Sequence, residues 1–167
     1  MSHRAGFLIR TAAALLDLLA MVPVYILASF VMFSLWERVG SDRAQWTASV
    51  VLYSIWLAYS TMEIWTAGTP GKLILRMRIM SVEGAPADGW RRFLRWSTKQ
   101  LPMIAALLWT LTGFVPLYTL SGFCGLVVTV GCIAAMNDDH LAWHDQWSGT
   151  AVYRRARYAR TEELAGS

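Results

Sequence analysis

Charged side chains are scarce in this sequence. Asp, Glu, Lys and Arg make up 16% of its 167 residues, against about 25% in an ordinary soluble domain. Hydrophobic residues reach 56%, so too few polar side chains are left to coat a water-soluble globule. Cysteine is scarcer still. Cys124 and Cys132 lie in one apolar stretch, about 12 Å apart along a helix axis at 1.5 Å per residue. That separation rules out a disulfide, and both read as small buried apolar residues. Catalytic sets are missing too, since no nucleophile, base and acid stand together. Gly68-Thr69-Pro70-Gly71-Lys72 has the wrong glycine spacing for a phosphate loop, and Leu73 replaces the required hydroxyl. His140 and His144 have a metal-sharing spacing within the cluster Asp138, Asp139, His140, His144 and Asp145. Leu141 follows His140 where a zinc protease needs glutamate, so the cluster reads as helix capping and interface packing. The net charge of +4 comes without a nucleic-acid-binding motif. We therefore expect no enzyme, no cofactor, no metal and no nucleic-acid partner.

Long apolar stretches are present instead. The first runs from about Arg10 to Trp36, interrupted by Asp17 and Pro23, and the second from about Trp46 to Trp65, with Glu63 near its end. Each is long enough to cross a bilayer core of about 30 Å. Pro inside such a helix is tolerated as a kink, and Trp36 and Trp46 flank the polar loop between them as interfacial anchors. The stretch Leu101–Met136 would be about 54 Å long as one helix, too long for one crossing. Two spans, at about 102–118 and 120–136, fit better. In the second, Ser121/Gly125 and Gly131/Ala135 repeat small residues at four-residue spacing, which lets membrane helices approach closely.

Between the second and third spans lies a basic segment, 66–100. Leu75–Ile79 alternates apolar and charged residues and predicts a short strand. Glu83–Gly89 is turn chemistry. Trp90–Gln100 predicts an amphipathic interfacial helix capped by Asp88, with Trp90, Phe93, Leu94 and Trp96 dipping into the interface. Arg91, Arg92, Arg95 and Lys99 would face headgroups. Four spans place thirteen basic residues inside and two outside, whereas three would export the tail arginines, against the positive-inside rule. The expected fold is therefore an all-α membrane protein. It is a four-transmembrane-helix bundle with a short strand and turn segment and an amphipathic helix on the cytoplasmic side. One domain covers 1–153, and a basic disordered tail covers 154–167. The protein is placed in the cell (inner) membrane with both termini cytoplasmic. Anionic headgroups are its lipid partners, and a homo-oligomer or a membrane-protein partner is expected.

Asp17 lies within a span, seven residues and so about two helical turns after Arg10. Ionisable residues at such depth face the bundle interior and mark ion paths or lock helix packing. Glu63 falls in the same leaflet, where two carboxylates could bind a cation or relay a proton, or simply meet a basic neighbour.

Gly6–Asp17, with its arginine seven residues before an aspartate, resembles the start of RDD family membrane proteins. Thr69-Pro70-Gly71-Lys72 is similar to their TPGK loop, and Leu75–Ile79 to the strand-like segment after it. His144-Asp145-Gln146-Trp147-Ser148-Gly149-Thr150 resembles their closing HD-x-x-(A/S)-G-T motif. The resemblance covers roughly Gly6 to Val152 and implies that Arg10, Asp17 and Asp145 are the residues that name the family. Two departures stand out: Leu73 replaces a common second basic residue, and Arg76 stands where many relatives have a small one. The resemblance implies transport of an ion or small solute through a polar site near the cytoplasmic leaflet. The alternative is a non-transporting scaffold or assembly factor that holds lipid or partner proteins. On either reading Arg10, Asp17, the TPGK loop and Asp145 should meet. Asp17 would be held by a cation from Arg10, Lys72 or Arg78, and Asp145, beside His144, would cap or tether the layer.

Overall fold

The computed structural model describes residues 4–137 and 139–154. Asp138 and the tail from 155, including Arg155, Arg157 and Arg160, lie outside the described residues. The chain is mostly helical. Helix α1 spans Phe7–Val39 and α2 spans Ser41–Ser60. Two short helices follow, α3 (Met62–Thr66) and α4 (Pro70–Ile74), then strand β1 (Met77–Ser81). Helix α5 (Gly89–Thr112) and helix α6 (Val115–Ile133) come next, and α6 runs into a 3₁₀ turn at Ala134–Met136. Helix α7 (Trp143–Ser148) and strand β2 (Thr150–Arg154) complete the described chain.

The long helices pack as antiparallel neighbours. Tyr59 near the end of α2 reaches Asp17 in the first half of α1. Trp46 at the start of α2 donates its indole N–H to the Thr110 carbonyl at the end of α5, and Trp56 reaches Gln100. On α6, Ser121 donates to the Pro102 carbonyl of α5, and Tyr118 packs its ring 4.9 Å from that of Trp109. Stretches Phe7–Ser34 and Val115–Met136 are long and apolar enough to cross a membrane. Leu27 and Phe30 on α1 and Phe123 and Leu126 on α6 are exposed, each by more than 60%. A core helix of a soluble protein would bury such residues.

At one end of these helices the chain builds a compact layer. Strands β1 and β2 pair antiparallel, with Ile79 opposite Val152. The Ala5 N–H donates to the Val152 carbonyl at 2.7 Å, tying the N-terminal flank to β2. Ala5, Ala13, Met77, Ile79, Ala87 and Val152 form its apolar core.

Several sequence boundaries are corrected. The polar loop expected over 37–45 shrinks to Gly40, whose φ of +86° lets α1 turn directly into α2. The Leu101–Met136 stretch breaks at Gly113–Phe114, because Gly113 takes the left-handed conformation that ends α5. The predicted Trp90–Gln100 helix is not a separate element. It continues through Pro102 into the apolar half of α5, with Asp88 capping its start by accepting from the Arg91 N–H. The strand begins two residues later than the alternation suggested, since Arg76 sits at φ +55° and turns the chain out of α4. Two small residues of α6 face inward, Gly125 against Pro102 and Gly131 against Trp143.

Among the described glycines, the closest approach is at Gly71. A Cβ there would overlap the Ala13 carbonyl oxygen and lie 3.0 Å from the carboxyl carbon of Asp17, so α4 rests directly on α1. Gly71→Ala is expected to lower stability by about 1–3 kcal/mol, the usual cost of overpacking. Gly122→Ala, inside α6 where nothing stands within 4 Å, should not lower stability, since alanine is the better helix former. Thermal unfolding in detergent checks both.

Candidate functional site

Three buried carboxylates organise the layer. Asp17, on α1, accepts from the Tyr59 hydroxyl and the Gly71 N–H at Oδ1, both at 2.7 Å, and from the Thr69 hydroxyl at Oδ2, at 2.5 Å. The loop sequence explains the geometry. Pro70 opens α4 and has no N–H, so the first backbone donor of that helix is the N–H of Gly71. The absence of a side chain at Gly71 lets that donor reach α1. Asp17 is therefore held by three neutral donors and not by the cation expected from Arg10, Lys72 or Arg78.

Lys72 and Arg10 are engaged elsewhere. Lys72, one residue beyond Gly71, pairs with Glu63 Oε2 at 2.8 Å, and Lys99 reaches the same oxygen at 2.7 Å. Arg95 donates through Nε to Glu63 Oε1 at 2.7 Å. Its Nη1 pairs with Asp145 Oδ1 and donates to the Thr150 hydroxyl. Asp145 Oδ2 accepts from Arg10 Nη1 at 2.5 Å and from the Ala142 N–H. Arg10 spends its remaining donors on the carbonyls of Ala5 and His140. The contacts close a ring that runs from Asp17 through the TPGK loop to Glu63, Arg95, Asp145 and Arg10. It begins and ends on α1, having passed through α4, α3, α5 and α7. Glu63, Arg95 and Asp145 are each at most 2% exposed.

The structure thus brings together Arg10, Asp17, Glu63, Thr69, Pro70, Gly71, Lys72, Asp145 and His144. It leaves Arg78 exposed on β1, away from the ring. Arg95 and Lys99, expected to face headgroups, are instead the cations of Glu63. Tyr59 is not among the residues the sequence points to. One signal was legible: Trp56, Tyr59, Ser60 and Glu63 follow a helical i, i+3, i+4, i+7 stripe, and each is engaged in this polar network or beside it. His140 and His144 do not share a helical face, because α7 begins only at Trp143.

Burial pushes the Lys72 ammonium down to about 7; Glu63 opposes this and Lys99 and Arg95 add to it. His144 lies 3.6 Å from Asp145. Its pKa is pushed far below the ordinary histidine value, first by burial and then by the fields of Arg95 and Lys99. The imidazole is therefore neutral in the folded protein.

Two predictions follow from this packing. Arg95→Gln leaves Asp145 and Glu63 each short of a partner and should cost about 3–5 kcal/mol, as breaking buried ion pairs does. Lys99→Gln should cost much less, because Glu63 keeps Lys72 and Arg95. For His144, the unfolded chain takes up a proton below about pH 6.5 while the folded chain does not. The stability that neutral His144 contributes is complete above that pH and is lost as pH falls, by about 1.4 kcal/mol per unit. His144→Asn should flatten the melting temperature between pH 6.5 and 5.

The profile of the RDD family matches residues 4–149 of the sequence. No curated protein matches the chain significantly, and no solved structure does. The match covers most of the chain and includes Arg10, Asp17 and Asp145, which the structure gathers into one ring. This chain belongs to the RDD family.

Proposed function

We propose that this RDD-family chain is a four-span protein of the cell membrane, with both termini cytoplasmic, that works without catalysis as a scaffold. Its basic end layer is the part offered to lipids and partner proteins. The antiparallel packing of α1 with α2 and of α5 with α6 supports an even number of crossings. So does the gathering of the N-terminal flank, β1 and β2 at one end. Charge supports the side, because the basic residues crowd that end. The apolar half of α5, Leu101–Thr112, rises only about 18 Å, so the bilayer would thin around it.

One observation carries the choice of scaffold over conduit. Every oxygen of Asp17, Glu63 and Asp145 already faces a donor from the chain itself. A permeating ion would have to displace bonds that hold six helices together. The layer is built to stay put.

A transport role draws support from one feature. Asp17 keeps a carboxylate inside a helix with only neutral donors around it, and such a group could exchange them for a cation. A conduit of four short spans would require a homo-oligomer. Flux of Na⁺, K⁺ and protons in proteoliposomes separates the readings. The scaffold reading expects rates equal to those of protein-free vesicles, with Asp17→Asn making no difference. Cation flux that a folded Asp17→Asn variant abolishes would overturn it in favour of transport.

A further inference from the structure

The ring is not electrically balanced. Arg10, Lys72, Arg95 and Lys99 face Glu63 and Asp145, a surplus of two positive charges, and counting Asp17 still leaves one. The surplus concentrates where two ammonium groups meet a single oxygen, Glu63 Oε2. Each ammonium has three donors, and among the described residues Lys72 and Lys99 each make one side-chain hydrogen bond, to that oxygen. Their side chains keep 11% and 22% exposure, while Glu63 and Arg95 are sealed. Two turns before Lys99 on α5, Arg92 donates to the Trp65 carbonyl and joins this edge. The residue that Arg92 holds, Trp65, leaves its own side chain exposed (81%).

We propose that Lys72 and Lys99, with Arg92 at the rim, form a binding site for the phosphate of an anionic membrane phospholipid. A phosphate is the anion such a pair of point charges suits. Its negative charge supplies what Glu63 alone does not, and it opposes the depression of Lys72 caused by burial and by Lys99 and Arg95. Trp65 decides between lipid and free phosphate. Its indole, held outward on the residue whose carbonyl Arg92 binds, matches the boundary between headgroups and acyl chains, whereas a soluble anion gains nothing from it. This deepens the scaffold reading by naming a lipid partner, and it depends on the four-span topology only for the leaflet that supplies the lipid.

The test uses the full-length protein in a neutral detergent, titrated with dioleoyl phosphatidylglycerol, dioleoyl phosphatidylcholine or sodium phosphate. Native mass spectrometry reads occupancy and thermal unfolding reads stabilisation. Phosphatidylglycerol should be retained and should stabilise the protein, with an affinity about ten-fold above that of phosphatidylcholine. The double variant Lys72→Gln/Lys99→Gln should lose that preference, Lys72→Arg/Lys99→Arg should restore it, and Arg78→Gln should leave it intact. If the double variant does not fold, Lys99→Gln alone should weaken the preference. Equal phosphatidylglycerol preference in the folded Gln variants would overturn the site. Full competition by millimolar sodium phosphate would overturn the lipid assignment in favour of a soluble anion. Failure of the scaffold reading would show separately, as flux in proteoliposomes.

Discussion

Taking Glu63 and Asp145 out of water is costly unless opposite charge stands within hydrogen-bond distance of each, and Arg95 is placed to serve both. Its planar fork presents Nε to one carboxylate and Nη1 to the other. A lysine, with a single point charge, could not span the two in this way. Because Glu63 sits on α3, Asp145 on α7 and Arg95 on α5, satisfying one guanidinium fixes three helices relative to one another. Arg10 and the TPGK loop then bring α1 and α4 into the same network. The apolar core of this end is small, three alanines with one methionine and two β-branched residues, so ionic contacts have an unusual share in holding it.

The rest of the molecule follows a different rule. Along α1 and α6 large apolar side chains point outward, and lipid replaces the hydrophobic effect as their surroundings. Helix contact there relies on close approach and on indole and hydroxyl bonds to carbonyls, as at Trp46–Thr110 and Ser121–Pro102. The two regimes meet at residues such as Trp56, Ser60 and Gln100, which are apolar or small enough to lie between helices yet still carry a polar handle.

Much of this plan can be read from residue patterns. Apolar runs of twenty residues announce long helices, and the Arg10–Asp17 spacing, the TPGK loop and the His144–Asp145 motif mark where distant segments gather. The pairing within the cluster was less accessible. An amphipathic reading of Trp90–Gln100 sends all its cations to one polar face. That reading cannot foresee that Glu63, thirty-two residues earlier, draws Arg95 and Lys99 inward, because the attraction exists only in the folded state. Likewise Asp17 was expected to need a cation, yet a proline, a glycine and two hydroxyl-bearing residues satisfy it. Pro116, Ser121 and Gly122 are helix breakers of similar local strength, so residue chemistry alone does not put the break at Gly113. Only the pairing of α5 with α6 selects among them.

The account stands on the ionic end and the α1–α2 turn lying on opposite sides of a membrane. In a background with Cys124 and Cys132 replaced by serine, single cysteines at Glu83, in the turn after β1, and at Arg43, at the start of α2, report the two ends to a membrane-impermeant maleimide. The account predicts labelling of the Arg43 position from outside intact cells and of the Glu83 position only in inverted vesicles. Labelling of both positions from the same side would contradict it.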